Sequence, residues 1–312
     1  MKTLSVTVLL TLLMLVSTAS TQDWNVLPLD WNENLTGVDF VHPDTGFLVS
    51  TSGSFARTVD CGKTWKTTIV NEGLKLEDVS FFNGSMGLIC GHRGNLYLTT
   101  NGGQDWLNVS PGDTAHIYFD VEWLDSGTAL LTGMDKASNT PMAGVAYRSI
   151  DTGRTWNKLE NMGMGYSEIH VTPDGVVRFP SYGQLLYSRD NGNTWTKTET
   201  FTGTQARTLS MYGKTGLMAG PHGMCAFSAD SGKTWTKAEQ SEKLTFITAE
   251  LIDEQIGYIG GLKATMMRTT DGGKTWEKEL LVKSFHVFDM CRIGNRLYAV
   301  GSSGTIIYKE FE

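Results

Sequence analysis

The residues best equipped for chemistry are carboxylates, and they fall into two patterns. The first is Ser/Thr-x-Asp-x-Gly-x-Thr-Trp, written six times: Thr58–Trp65, Thr99–Trp106, Ser149–Trp156, Ser188–Trp195, Ser228–Trp235 and Thr269–Trp276. Its acids are Asp60, Asp151, Asp190, Asp230 and Asp271; the second copy has Asn101 there, with Asp105 in place of the Thr. The second pattern comprises Asp39, Asp78, Asp120, Glu122, Glu168, Glu250 and Asp289, the polar positions of alternating segments such as Val38-Asp39-Phe40 and Val121-Glu122-Trp123. Two carboxylates flanking a glycosidic bond can hydrolyse it. A ring of carboxylates can instead hold a cation or a basic peptide, or simply wall a water-filled tunnel. Nothing in the sequence singles out a catalytic pair. It contains no Ser-His-Asp order, no His-x-x-x-His pair and no phosphate-cradling glycine loop. The six histidines (42, 92, 116, 170, 222 and 286) are scattered. No catalytic residue, metal ligand set or cofactor is expected, and binding is favoured over catalysis.

The repeated motif has a mechanical job for each of its residues. The Asp accepts hydrogen bonds from turn N–H groups, and the Gly takes a positive φ without a Cβ clash. Thr and Trp open the next strand, where the indole pins the turn to the sheet. The five Asp residues and Asn101 are therefore read as structural.

A motif spacing near forty residues, with four short strands per unit, is the pattern of a β-propeller. An innermost strand is expected near residues 38, 79, 121, 169, 209, 249 and 287, which makes seven units for six boxes. The seventh stops after its third strand, Gly304–Lys309. Gln22-Asp23-Trp24 resembles Gln104-Asp105-Trp106, so Asp23–Leu29 is expected to supply the missing outer strand. The predicted fold is an all-β, seven-bladed propeller over residues 23–312, closed by its N-terminal strand. Period-2 geometry points the second carboxylate set into the central channel. Loops between second and third strands form the other candidate surface, a rim carrying His92, Arg93, Tyr182, His222 and Lys263.

Residues 1–22 read as a secretory signal: Lys2, the apolar run Leu4–Val16, then Ser17-Thr18-Ala19. The run is short for a membrane span, and no Cys follows it for a lipid anchor. Losing Lys2 takes the net charge from −7 to −8, which argues against a nucleic-acid binder. The four cysteines, Cys61, Cys90, Cys225 and Cys291, fit neither a zinc site nor a disulfide framework. They are expected to remain free.

The Gly-x-x-Gly…Thr-Thr-Asp-Gly-Gly-Lys-Thr-Trp arrangement at Gly260–Trp276, and again at Gly91–Trp106, resembles the photosystem II stability and assembly factor family of seven-bladed propellers. That resemblance implies an exported, monomeric scaffold that binds another macromolecule, a protein before a carbohydrate. The location implied is secreted or periplasmic, or the thylakoid lumen in a phototroph. The alternative is a secreted, sialidase-like or other carbohydrate-active hydrolase, because Asp boxes also occur in sialidases. Those enzymes resemble one another in an Arg-Ile-Pro segment ahead of the first box. Here no Arg lies between Asp23 and Ala56, and Arg178-Phe179-Pro180 reads as an ordinary second strand.

Overall fold

The computed structural model describes residues 24–112, 114–140, 143–162, 168–200, 205–238 and 243–312. The signal expected at residues 1–22 lies outside them, as does Asp23. The described strands form seven four-stranded antiparallel sheets, and among them no helix is long and apolar enough to cross a membrane. The innermost strands are Leu35–His42, Leu76–Phe81, His116–Trp123, His170–Val171, Thr208–Tyr212, Phe246–Leu251 and Val287–Ile293, in blades 1 to 7. Six blades run through their strands in chain order. Blade 7 takes its outer strand, Asn25–Leu27, from the other end of the chain. The pairing is antiparallel, with Asn25 opposite Tyr308 and Leu27 opposite Ile306. The expected closure is the one observed, and it leaves no blade short of a strand.

Blades pack face to face, so most of the core lies between them. Leu88, Cys90, Leu96 and Leu98 of blade 2 meet Tyr118, Val121, Trp123 and Tyr147 of blade 3. Aromatic pairs reinforce two other junctions: Phe47 stacks on Phe81 at 3.5 Å, and Phe40 on Tyr298 at 3.9 Å. These ring contacts add to the apolar burial itself.

Each box is a small hydrogen-bond cage. In the third, Asp151 Oδ1 accepts from Thr155 N–H at 2.9 Å and from the Ser149 hydroxyl at 2.8 Å, while Oδ2 accepts from the Thr155 hydroxyl at 2.6 Å. Ser149 Oγ accepts from Gly153 N–H, and Trp156 Nε1 donates to the Gly153 carbonyl at 3.0 Å. The second box keeps the cage by swapping its polar ends: Asn101 Nδ2 donates to Asp105 Oδ2 at 2.9 Å. The residue before the central Gly is also left-handed, at φ 62 for Thr152 and 64 for Ser231. That conformation strains a β-branched residue most, so Thr152→Gly should raise the melting temperature, and a lower one would refute the strain.

In blades 1, 2, 3, 6 and 7 the innermost strand carries a β-bulge near its start. The extra residue is Thr36, Glu77, Phe119, Ile247 or Phe288. In blades 2, 3, 6 and 7 the second strand makes room with a glycine: a Cβ on Gly261 would lie 2.0 Å from the Thr245 carbonyl, and on Gly301 1.7 Å from that of His286. Bulges re-aim side chains, and here they turn one more residue per blade toward the channel mouth.

All four cysteines are free. Thiol titration of the denatured, unreduced protein is expected to count four; two or none would contradict this register.

Candidate functional site

The channel is walled by the innermost strands, and its polar side chains join neighbouring blades. Asp289 Oδ2 accepts from Val38 N–H at 2.8 Å, Asp39 Oδ2 from Phe81 N–H at 2.6 Å, and Asp78 Oδ2 from Val121 N–H at 3.0 Å. Asp120 accepts from Ile169 N–H. His170 Nε2 accepts from Met211 N–H at 3.1 Å, and Ser210 Oγ from Leu251 N–H at 2.9 Å. Among the described residues, six of the seven junctions are therefore stitched from side chain to backbone.

The stitches define two layers. Asp78, Asp120 and Asp289 bond to the core-facing residue of the next strand, near the end that carries the loops. Asp39, His170 and Ser210 bond two residues further along. Counting by twos from the core residue Val287 would turn Asp289 toward the core, outside both layers. The bulge at Val287/Asp289 moves it into the first, and Cys291 takes the deeper register.

Above the first layer lies a cavity of about 330 Å³. Its floor is Asp78, Asp120, Glu168 and Asp289, four of the seven expected channel acids. Asp39, Glu122 and Glu250 sit deeper and do not line it. Its wall was not legible as a channel: the bulge residues Thr36, Glu77, Phe119, Ile247 and Phe288, with Lys75, Arg207 and Leu262. Thus the mouth is not purely acidic. Lys75 Nζ and His92 Nε2 both bond Glu77 Oε1, at 2.6 and 2.7 Å. Burial works to raise the Glu77 carboxyl, but His92 and Lys75 outweigh it and hold it low.

The other carboxyls shift the opposite way. Burial pushes Asp78 up to about 6, Asp39 to about 7 and Glu250 to about 8. Burial, then repulsion between neighbouring carboxylates, raises Asp120, Glu122, Glu168 and Asp289 well above the usual range. Burial also pushes His170 down to about 4. Each keeps a half-exposed face in the channel, so water tempers the shifts.

The rim residues lie on the cavity's side of the disk, since Thr51 and Leu262 belong to the same class of loop. Arg93, His222 and Lys263 occupy one left-handed position in three loops, at φ 55, 57 and 59. Tyr182 does not share it. Ser181 pairs directly with Gln184, so its loop is one residue shorter; Tyr182 is still 44% exposed. Of the five, only His92 is joined to the cavity wall, through Glu77. Arg93 instead borders a separate hollow with Asn95, Asn108 and Ser110.

A family model described as photosynthesis system II assembly factor YCF48 matches residues 16–177, about half the chain. The chain belongs to the Ycf48 family. A BNR/Asp-box repeat model also matches residues 267–278. The photosystem II assembly lipoprotein Ycf48 of Synechococcus sp. (strain CC9902) is 29% identical over 147 residues, which cover 45% of this chain and 41% of that protein. The match thus spans less than half of the relative's length. YCF48 from Cyanidioschyzon merolae superposes with a TM-score of 0.72 at 19% identity, over 92% of this chain and 99% of that one. A YCF48 bound to D1 peptide gives 0.71 at 18%, over 94% and 96%. Virginiamycin B lyase from Staphylococcus aureus gives 0.77 at 11%, over 93% and 99%. At these identities the structures speak for the fold alone. Family membership therefore rests on the sequence match, not on the superposition.

Within this Ycf48-family propeller, Arg178 is a second-strand residue, 6% exposed, whose Nη1 donates to Thr172 Oγ1 at 3.3 Å. It is committed to its own blade, as the sequence suggested. The missed wall residues did leave a signal. Gly91, Gly261 and Gly301 end their second strands and Gly133 lies two residues from the end of its own, and each marks a bulge opposite.

Proposed function

We propose that this chain is an exported, non-catalytic assembly factor that holds a client polypeptide on its loop face, at the mouth of the channel. One observation carries the reading: all seven blades contribute to a single cavity there, which sets acidic, cationic and apolar side chains side by side. The box turns on the other face are near copies of one another. A surface selective for one partner needs variety, while a turn that only fastens hairpins does not. The D1 peptide bound to a related YCF48 supports a protein client of photosystem II for this chain too. The lipoprotein character of the Synechococcus relative is consistent with export, and we assign the work to a lumenal or periplasmic space, with the protein acting as a monomer.

The rim residues His92, Arg93, Tyr182, His222 and Lys263 are assigned to the outer contact zone, Tyr and Arg being frequent binding anchors. Arg93→Ala with Tyr182→Ala should weaken capture of the client from a native extract and leave the melting temperature nearly unchanged. Asp151→Ala with Asp230→Ala should do the reverse, lowering the melting temperature by a few degrees with capture intact. If a folded box variant loses its client while the rim variant keeps it, the binding face is the other one.

A further inference from the structure

We propose that the channel mouth seats one cationic side chain, a lysine or arginine, of the bound polypeptide. This rests on the peptide-binding reading above and names what the cavity selects. The cavity is zoned by depth. Phe119, Ile247, Leu262 and Phe288 form an apolar collar, each of them half-buried rather than sealed into a core. Below them lie Asp78, Asp120, Glu168 and Asp289. Lysine and arginine have a matching division, an aliphatic stem ending in a charged head. The collar covers the stem while the head reaches the carboxyls below.

The charges point the same way. Five carboxyls line the cavity (Glu77, Asp78, Asp120, Glu168 and Asp289) against two cations, Lys75 and Arg207. Glu77 is already occupied by Lys75 and His92. The four floor carboxyls repel one another. Asp78 and Asp120 accept backbone N–H groups, and Asp289 accepts one on each oxygen, but none of these bonds supplies a positive charge. An incoming ammonium or guanidinium relieves that repulsion. An incoming carboxylate or a plain apolar side chain does not.

The test uses the full chain and two fluorescently labelled nonapeptides. One has Leu-Lys-Leu at its centre, the other Leu-norleucine-Leu, which keeps the stem and deletes the charge. By anisotropy the lysine peptide should bind at least about tenfold more tightly, with a gap that narrows as salt rises. Asp120→Asn with Glu168→Gln preserves shape and acceptor oxygens; once its melting curve shows it folded, it should bind the two peptides alike. Phe119→Ala should weaken both. Equal binding of the two peptides by the wild type overturns the cation seat, and so does a gap that survives in the folded amide variant. If neither peptide binds, the seat is also overturned, and client capture by the Arg93/Tyr182 variants then decides the broader binding reading independently.

Discussion

Deleting residues 23–29 is expected to cost several kcal/mol of stability, a large share of what a domain possesses, and to drive the protein into aggregates. The closing strand is short, but its first described residue is an anchor. Trp24 is 3% exposed, packs edge-on against Tyr258 at 5.8 Å, and donates from Nε1 to Glu279 Oε1 at 3.0 Å. The same carboxylate oxygen takes Lys309 Nζ at 2.7 Å, and Lys309 lies over both aromatic rings. Removing the strand empties the Trp24 site, bares Ile306–Glu310 as a sheet edge and opens part of the core around Leu27, and such edges invite pairing with other chains. Trp24→Ala alone should cost about 3–5 kcal/mol, read as a melting temperature lower by roughly 10 °C. An unchanged melting curve and gel-filtration profile for the deletion would refute this closure.

Stability is expected to peak near pH 5 and to fall steadily toward pH 8. Asp78, Asp39 and Glu250 have folded pKa values of about 6, 7 and 8, above the ordinary carboxylate range. A raised value means that the folded state holds the proton longer than the unfolded one. The resulting stability is fully present below about pH 4 and is lost as pH rises through 6 to 8. His170, lowered to about 4, works against this trend: its contribution is complete above about 6.5 and is lost on acidification. One histidine does not balance the carboxyls. Further down the scale the boxes take over. Hydrogen bonds from the Thr194 and Thr234 hydroxyls pull Asp190 and Asp230 to about 2, so their contribution disappears as pH falls from about 4 through 2. Asp39→Asn with Glu250→Gln retains an acceptor at each position and removes the charge. It should raise the melting temperature at pH 8 by several degrees and change it little at pH 5. A wild-type melting temperature that is flat or rising between pH 5 and 8 would reject the assignment.

Much of this was legible from residues alone, for reasons that also explain the rest. The box repeats because the same hairpin is needed in six blades, so its copies fix the period. Trp24 announces the closing strand because its neighbours repeat the exit of the second box. The channel acids Asp39, Asp78, Asp120 and Glu122 follow from strand alternation. Alternation fails at a bulge, which is why Phe119, Ile247 and Phe288 were not read as cavity wall. Lys75 and Arg207 stand just before their strands, where no pattern of twos yet exists. Most stitches join residues about forty positions apart, as Asp39 to Phe81 does, and Asp289 to Val38 spans 251. A sequence can show that such an Asp faces inward, but not which N–H it meets.

The pairing of Asn25–Leu27 with Ile306–Tyr308 also sets an order in time. The strand that completes the ring is among the first residues of the described chain to be synthesised, and its partner is among the last. Until that partner arrives, the early segment has nothing to pair with, and the first and last blades each present an uncovered face. Contacts between such distant segments form slowly and leave sticky intermediates behind them. Assembly of this ring is therefore a late, all-at-once event, and a chain interrupted anywhere before Ile306 is left without its fastener.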